Sequence, residues 1–133
     1  MGGVFHPMRT LLVLTIACLV GCQTPAPAST TTIRGVALAG PTCPVVTQPP
    51  DPACDDRPVA GAEIEVRNAA GESVARVTTA EDGSFSVVVS AGRYELQPQP
   101  VEGLLGTASQ VEVVVLEGVD PDPVTVVYDT GIR

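Results

Sequence analysis

A chain of 133 residues has room for one domain, and its 13 Gly and 13 Pro call for many turns rather than long helices, which excludes multidomain machinery. Hydrophobic residues at 44% against charged ones at 17% suffice to bury a core and exclude wholesale disorder. The formal net charge of -8, from seven Arg and fifteen Asp plus Glu with no Lys, excludes a phosphate-tracking nucleic-acid surface and repels an anionic bilayer; the six arginines after residue 10 are each isolated.

The first element is an export signal over residues 1–21. A short amino-terminal region carries Arg9 and no acid, and an apolar stretch follows at 11–20. Ten apolar residues are too few for a transmembrane helix, which needs about 20. The tetrapeptide Leu19-Val20-Gly21-Cys22 closely resembles the lipobox of bacterial lipoproteins. That resemblance implies cleavage before Cys22, a diacylglyceryl group on its thiol and acylation of its new amino group. Met8 is an alternative start, because Met8-Arg9-Thr10 still precedes the apolar run. Two or more acyl chains hold a protein on a membrane stably, at about 0.8 kcal/mol per buried methylene. Gln23 follows the lipidated residue where an Asp marks inner-membrane retention in many two-membrane bacteria, which leaves a cell-membrane or outer-membrane location open.

Of four Cys, Cys18 leaves with the signal and Cys22 takes the lipid, so Cys43 and Cys54 remain as a pair. In an exported chain, two cysteines eleven positions apart in a Pro-rich loop read as a disulfide, and no His is at hand to complete a zinc site. Residues 22–32 form the lipidated Cys and a linker of small polar residues with two Pro. In an extended form it reaches about 30 Å, at about 3.1 Å per residue.

Beyond the linker the pattern has period two. Ala62, Ile64 and Val66 alternate with Glu63, Glu65 and Arg67; Phe85, Val87 and Val89 and then Tyr94 and Leu96 follow the same rule. Fainter versions at 33–38, 73–79, 110–116 and 124–129 bring the number to about seven. Turn signals separate them at 68–71, 81–83, 90–92 and 118–123, and Asp82-Gly83 reads as a type I′ hairpin turn. The insertion 39–57, with Pro at 41, 44, 49, 50 and 52, is a long loop stapled by Cys43 and Cys54. The prediction is an all-β, antiparallel Greek-key β-sandwich over residues 33–133, with a small open β-barrel as the alternative.

The run Pro58-Val59-Ala60-Gly61-Ala62-Glu63-Ile64-Glu65-Val66, with Gly71, Thr78-Thr79, Asp82-Gly83-Ser84-Phe85 and Gly92-Arg93-Tyr94-Glu95-Leu96, resembles the carboxypeptidase regulatory-like domains of the prealbumin-like sandwich group, over about 33–96. The resemblance implies a non-catalytic module used for interaction, spacing or folding support. Relatives bind starch, and others form isopeptide bonds.

The only His, His6, lies in the signal, so the exported chain lacks imidazole, Lys and a free thiol, and nucleophilic catalysis has almost no players. Hydroxyisourate hydrolases of the same broad fold use His and a terminal Tyr-Arg-Gly-Ser, where this chain reads Tyr128-Asp129-Thr130-Gly131. Isopeptide formation needs the missing Lys. No catalytic, cofactor-binding or metal-binding residue is singled out. Asp55-Asp56, Glu81-Asp82 and Asp120 with Asp122 offer oxygen ligands for weak calcium binding, set against the ordinary role of Asp in turns. Phe85, Tyr94 and Tyr128 sit in phase with core positions, which works against stacking on a sugar ring. The expectation is a lipid-anchored, extracytoplasmic, non-catalytic interaction or structural module of the bacterial cell envelope. Its contacts are the membrane through Cys22 and an envelope protein or glycan, with the loop between Cys43 and Cys54 as the recognition surface. A carbohydrate-binding module is the alternative.

Overall fold

The computed structural model describes residues 2, 3, 21 and 29–133. The rest of the 1–21 signal, Cys22 and the linker as far as residue 28 lie outside the described residues. Eight strands follow: β1 (Thr30–Gly40), β2 (Arg57–Pro58), β3 (Glu63–Asn68), β4 (Ser73–Thr78), β5 (Ser84–Ser90), β6 (Gly92–Pro98), β7 (Val111–Val115) and β8 (Val124–Asp129).

They form two facing sheets. In the first, β1 is central. Its amino-terminal part pairs antiparallel with β5, from Thr30 opposite Ser90 to Val36 opposite Ser84. Its second half pairs in parallel with β8, from Gly35 opposite Val124 to Gly40 opposite Asp129. The two residues of β2 lie antiparallel to Leu38 and Ala39. The second sheet runs β4-β3-β6-β7, antiparallel throughout.

Alternation decides which side chains meet between the sheets. Ile33, Phe85, Val89, Val126 and Tyr128 from the first sheet pack against Ile64, Val66, Leu96, Val113 and Val115 from the second. Each fully buried aliphatic or aromatic side chain contributes about 2 kcal/mol of transfer free energy. Gly35 makes room inside the first sheet for its partners on β5 and β8: a Cβ there would run into the Phe85 ring and fall 2.5 Å from the Val124 carbonyl oxygen. The two tyrosines keep their hydroxyls satisfied inside this core. Tyr94 donates to the Ser90 carbonyl at 2.7 Å and Tyr128 to the Gln99 carbonyl at 2.9 Å.

The all-β sandwich matches expectation in class and in the seven longer strands, and it is not a closed barrel. Four details differ. The arrangement is not wholly antiparallel, because β1 and β8 run in the same direction. The strand begins at Thr30, so Thr30, Thr31 and Thr32 belong to β1 rather than to the linker. The stapled segment is shorter than 39–57, since Ala39 and Gly40 close β1 and Arg57 opens β2.

The fourth concerns Asp82-Gly83. The turn is tight, with Gly83 N–H donating to Ala80 O and Ala80 N–H to Ser84 O, both at 2.9 Å. Only Gly83 has positive φ, at 77°, so this is a three-residue loop ending on a glycine bulge instead of a type I′ turn. The strands it joins then part, β4 to one sheet and β5 to the other. Thr79 holds that corner: its buried hydroxyl donates to Val59 O at 2.5 Å and accepts from Ala62 N–H at 2.9 Å.

Candidate interaction surface

Residues 41–56 leave the sandwich where β1 ends and return where β2 begins. Five prolines, none of which can donate a backbone hydrogen bond, keep this stretch from pairing as a strand. It is ordered by other means. Cys43 and Cys54 form a disulfide with Cα atoms 5.3 Å apart. A 3-10 turn, Pro52–Cys54, is capped by Asp51, whose Oδ1 accepts from Ala53 N–H at 2.9 Å, while Cys54 N–H donates to Asp51 O at 2.9 Å. Thr42 Oγ1 donates to Asp55 O at 3.1 Å across the loop. At the tip, Val45 and Val46 are 68% and 86% exposed.

The end of β8 braces the base of this loop. Thr130 N–H donates to Gly40 O at 3.2 Å, and Thr130 Oγ1 donates to Pro41 O. Asp129 turns its carboxylate to Arg133 Nη2 at 2.8 Å and to Gly131 N–H at 2.8 Å. The Arg133 guanidinium, followed by the Gly131 amide, holds the Asp129 carboxyl down at about 2.

The outward face of the second sheet is an ordered ladder of charge. Arg76 bridges Glu63 at 2.8 Å and Glu65 at 3.5 Å, and Arg67 Nε donates to Glu65 at 3.0 Å. Glu65 is largely buried; its hydrogen bond from Arg67, with the charge of Arg76 beyond, holds its carboxyl below the usual range. Arg93 pairs with Glu112 at 3.0 Å on the same face. A shallow groove of about 330 Å³ lies there, lined by Arg67, Asn68, Arg93, Tyr94 and Glu112 among others. Arg67 and Glu65 are two apart on one strand, but the pairs of Arg76 and of Arg93 are not legible from spacing alone, because each joins neighbours across a register that the chain order does not specify.

The sequence candidates fall as follows. Cys43 and Cys54 are brought together, and Cys22 lies outside the described residues. The three acidic pairs do not converge, and among the described residues no group of three His, Cys, Asp or Glu is placed to hold a metal ion. Two of these carboxylates serve the fold. Asp82 accepts from Ser84 N–H and Oγ at 2.9 and 2.6 Å, and Asp120 accepts from Thr32 N–H and Arg34 at 3.2 and 3.0 Å, which depresses both carboxyls. Phe85, Tyr94 and Tyr128 are all buried, which leaves the described residues without an exposed aromatic face for a sugar.

Two solved structures share the sandwich. The TIE protein of Bacillus anthracis superposes with a TM-score of 0.52 at 13% identity, over 76% of this chain and 17% of that one. The shaft pilin SpaA of Lactobacillus rhamnosus GG superposes with a TM-score of 0.53 at 10% identity, over 77% of this chain and 51% of that one. The chain thus spans a small part of the first and about half of the second, and at these identities the likeness is one of fold. No curated protein matches the chain in sequence. The family match is to the carboxypeptidase regulatory-like domain over residues 51–127, beginning inside the stapled loop and running beyond Leu96, the limit set by the sequence resemblance, into β8. With that match covering more than half its length, the chain belongs to the carboxypeptidase regulatory-like domain family.

Proposed function

We propose that this protein is a non-catalytic structural or interaction module of the bacterial cell envelope, tethered to a membrane by lipid on Cys22 and presenting the loop closed by Cys43 and Cys54. The polarity of β1 carries the reading. The strand starts at Thr30, next to the linker, and ends at Gly40, at the root of the loop. At about 3.3 Å per residue, its eleven residues separate the two by roughly 33 Å. A tether at one end therefore leaves the stapled loop at the far end, directed away from the bilayer. Membership of a family of accessory modules and a fold shared with a shaft pilin support a role without chemistry.

The test is phase separation in a cloud-point detergent together with metabolic labelling by a fatty-acid analogue. The natural chain partitions into the detergent phase and carries the label, and Cys22→Ala does neither. Equal partitioning of the two sinks the anchored reading.

A further inference from the structure

We propose that the stapled loop is a docking site for a single Lys or Arg side chain on a basic protein segment. This rests on the envelope-module reading and supplies the kind of partner that reading lacks. Within the loop lies a hollow of about 230 Å³, lined by apolar Pro41, Val45 and Pro50 and by Asp51, Asp55 and Asp56. A Lys or Arg side chain is an apolar stem ending in a cation, and it matches a lining that combines apolar groups with carboxylates.

The carboxylates are free to receive it. Asp51 spends Oδ1 on its cap and keeps Oδ2. The ion pairs among the described residues engage Arg34, Arg67, Arg76, Arg93 and Arg133 with Glu63, Glu65, Glu112, Asp120 and Asp129, and none reaches Asp51, Asp55 or Asp56. Glu81 and Asp82 lie in the turn whose Gly83 approaches the Pro58 and Val59 backbone, and Arg57, exposed and in none of these ion pairs, is the one cation beside the three carboxylates in the chain, so the local balance stays negative. Residues 41–56 contain no Arg.

The same acidic rim selects the occupant. An anionic lipid surface and a nucleic acid meet like charge, and a second copy of this chain meets it on balance, at a net charge of -8 per chain. A basic protein segment meets the opposite charge, with Val45 and Val46 exposed beside the hollow to cover the contact once the cation is seated. The disulfide and the 3-10 turn pre-order the loop, which lowers the entropy cost of binding.

The test is an NMR titration of the full chain in zwitterionic micelles with two capped pentapeptides, one with a central arginine among glycines and its uncharged citrulline twin. The arginine peptide shifts amides of residues 43–56 in a saturable way, and citrulline weakens it about fivefold, the upper range for one exposed ion pair. The double variant Asp55→Asn with Asp56→Asn removes the difference between the peptides and leaves the amides of the sandwich unmoved. Equal shifts by both peptides with the natural chain, or shifts centred on Glu63, Glu95 and Glu112, overturn the proposal. Cys22→Ala titrates as the natural chain does, so failure of the tether and failure of the docking site are read separately.

Discussion

Replacing Gly83 by Ala tests the corner where the chain passes from one sheet to the other. Gly83 has φ of 77°, and a Cβ there would collide with the Ala37 carbonyl oxygen and lie 3.2 Å from Val59 N. Positive φ alone costs a non-glycine residue about 1 kcal/mol. The collision adds more, because Ala37 also receives structural support from Gly83: its N–H donates to Gly83 O at 2.8 Å. Moving the turn outward loses that bond, about 1 kcal/mol, and disturbs the Val59 packing beneath it by a similar amount. The expected total is about 3 kcal/mol. Gly61→Ala supplies the control: its φ is 72°, yet its Cβ meets nothing within 4 Å, so only the conformational cost of about 1 kcal/mol applies. For a domain of this size each kcal/mol lowers Tm by about 5 °C, which gives roughly 15 °C for Gly83→Ala and 5 °C for Gly61→Ala. Urea denaturation followed by circular dichroism gives the free energies directly. Equal losses in the two variants would refute the steric argument.

Thr79→Val removes a hydroxyl that joins Val59 O to Ala62 N–H in the core, and stranding both groups should cost about 2 to 3 kcal/mol; calorimetry showing a loss under about 1 kcal/mol would mean that the corner holds without it. Cys43→Ser with Cys54→Ser opens the loop and should cost about 3 kcal/mol in the chain-entropy account, read as a lower urea midpoint, whereas an unchanged midpoint would show that the loop contributes nothing to folding. Asp129 titrates at about 2 in the folded chain and near 3.9 when unfolded, so its contact with Arg133 is complete above about pH 4 and fades as pH falls toward 2. NMR signals of Gly131 and Arg133 should move over that acid range; movement centred near pH 4 would show that the pair does not form.

Much of this fold is legible residue by residue, and what is not has a common cause. Phe85 and Val89, like Val124, Val126 and Tyr128, announce a buried face by alternation, and Cys43 and Cys54 announce their bond by lying eleven positions apart in a Pro-rich segment. Alternation says which way a side chain points and nothing about which strand lies alongside. Val126 and Tyr128 would read the same in an antiparallel neighbour, so the parallel pairing of β8 with β1 is invisible until the register is seen. The bridge from Arg76 to Glu63 and Glu65 is hidden for the same reason. Thr30 to Thr32 mislead differently. Three small polar residues after a Pro-rich run look like linker, yet Thr is β-branched, and Thr31 is buried at the edge of the core. At Asp82-Gly83 the local signal does report a reversal of the chain. It carries no information about the flanking strands parting, which Thr79, beside the turn, arranges with Val59 and Ala62 from earlier in the chain.

The parallel neighbours β1 and β8 also determine how the protein bears tension. A pull applied at Ser29 and at Arg133 drags β1 toward its beginning and β8 toward its end, so the two strands slide past each other along their length. The hydrogen bonds from Gly35–Val124 to Gly40–Asp129 then carry the load in shear and must rupture together, whereas an antiparallel pair pulled from one end would unzip bond by bond. Single-molecule extension between those two residues should show one abrupt rupture at high force, with a gradual low-force opening as the contrary result. A load between the amino-terminal end and Arg133 thus meets the β1–β8 pairing in the direction in which it resists most, whereas a load on the stapled loop runs along β1 itself.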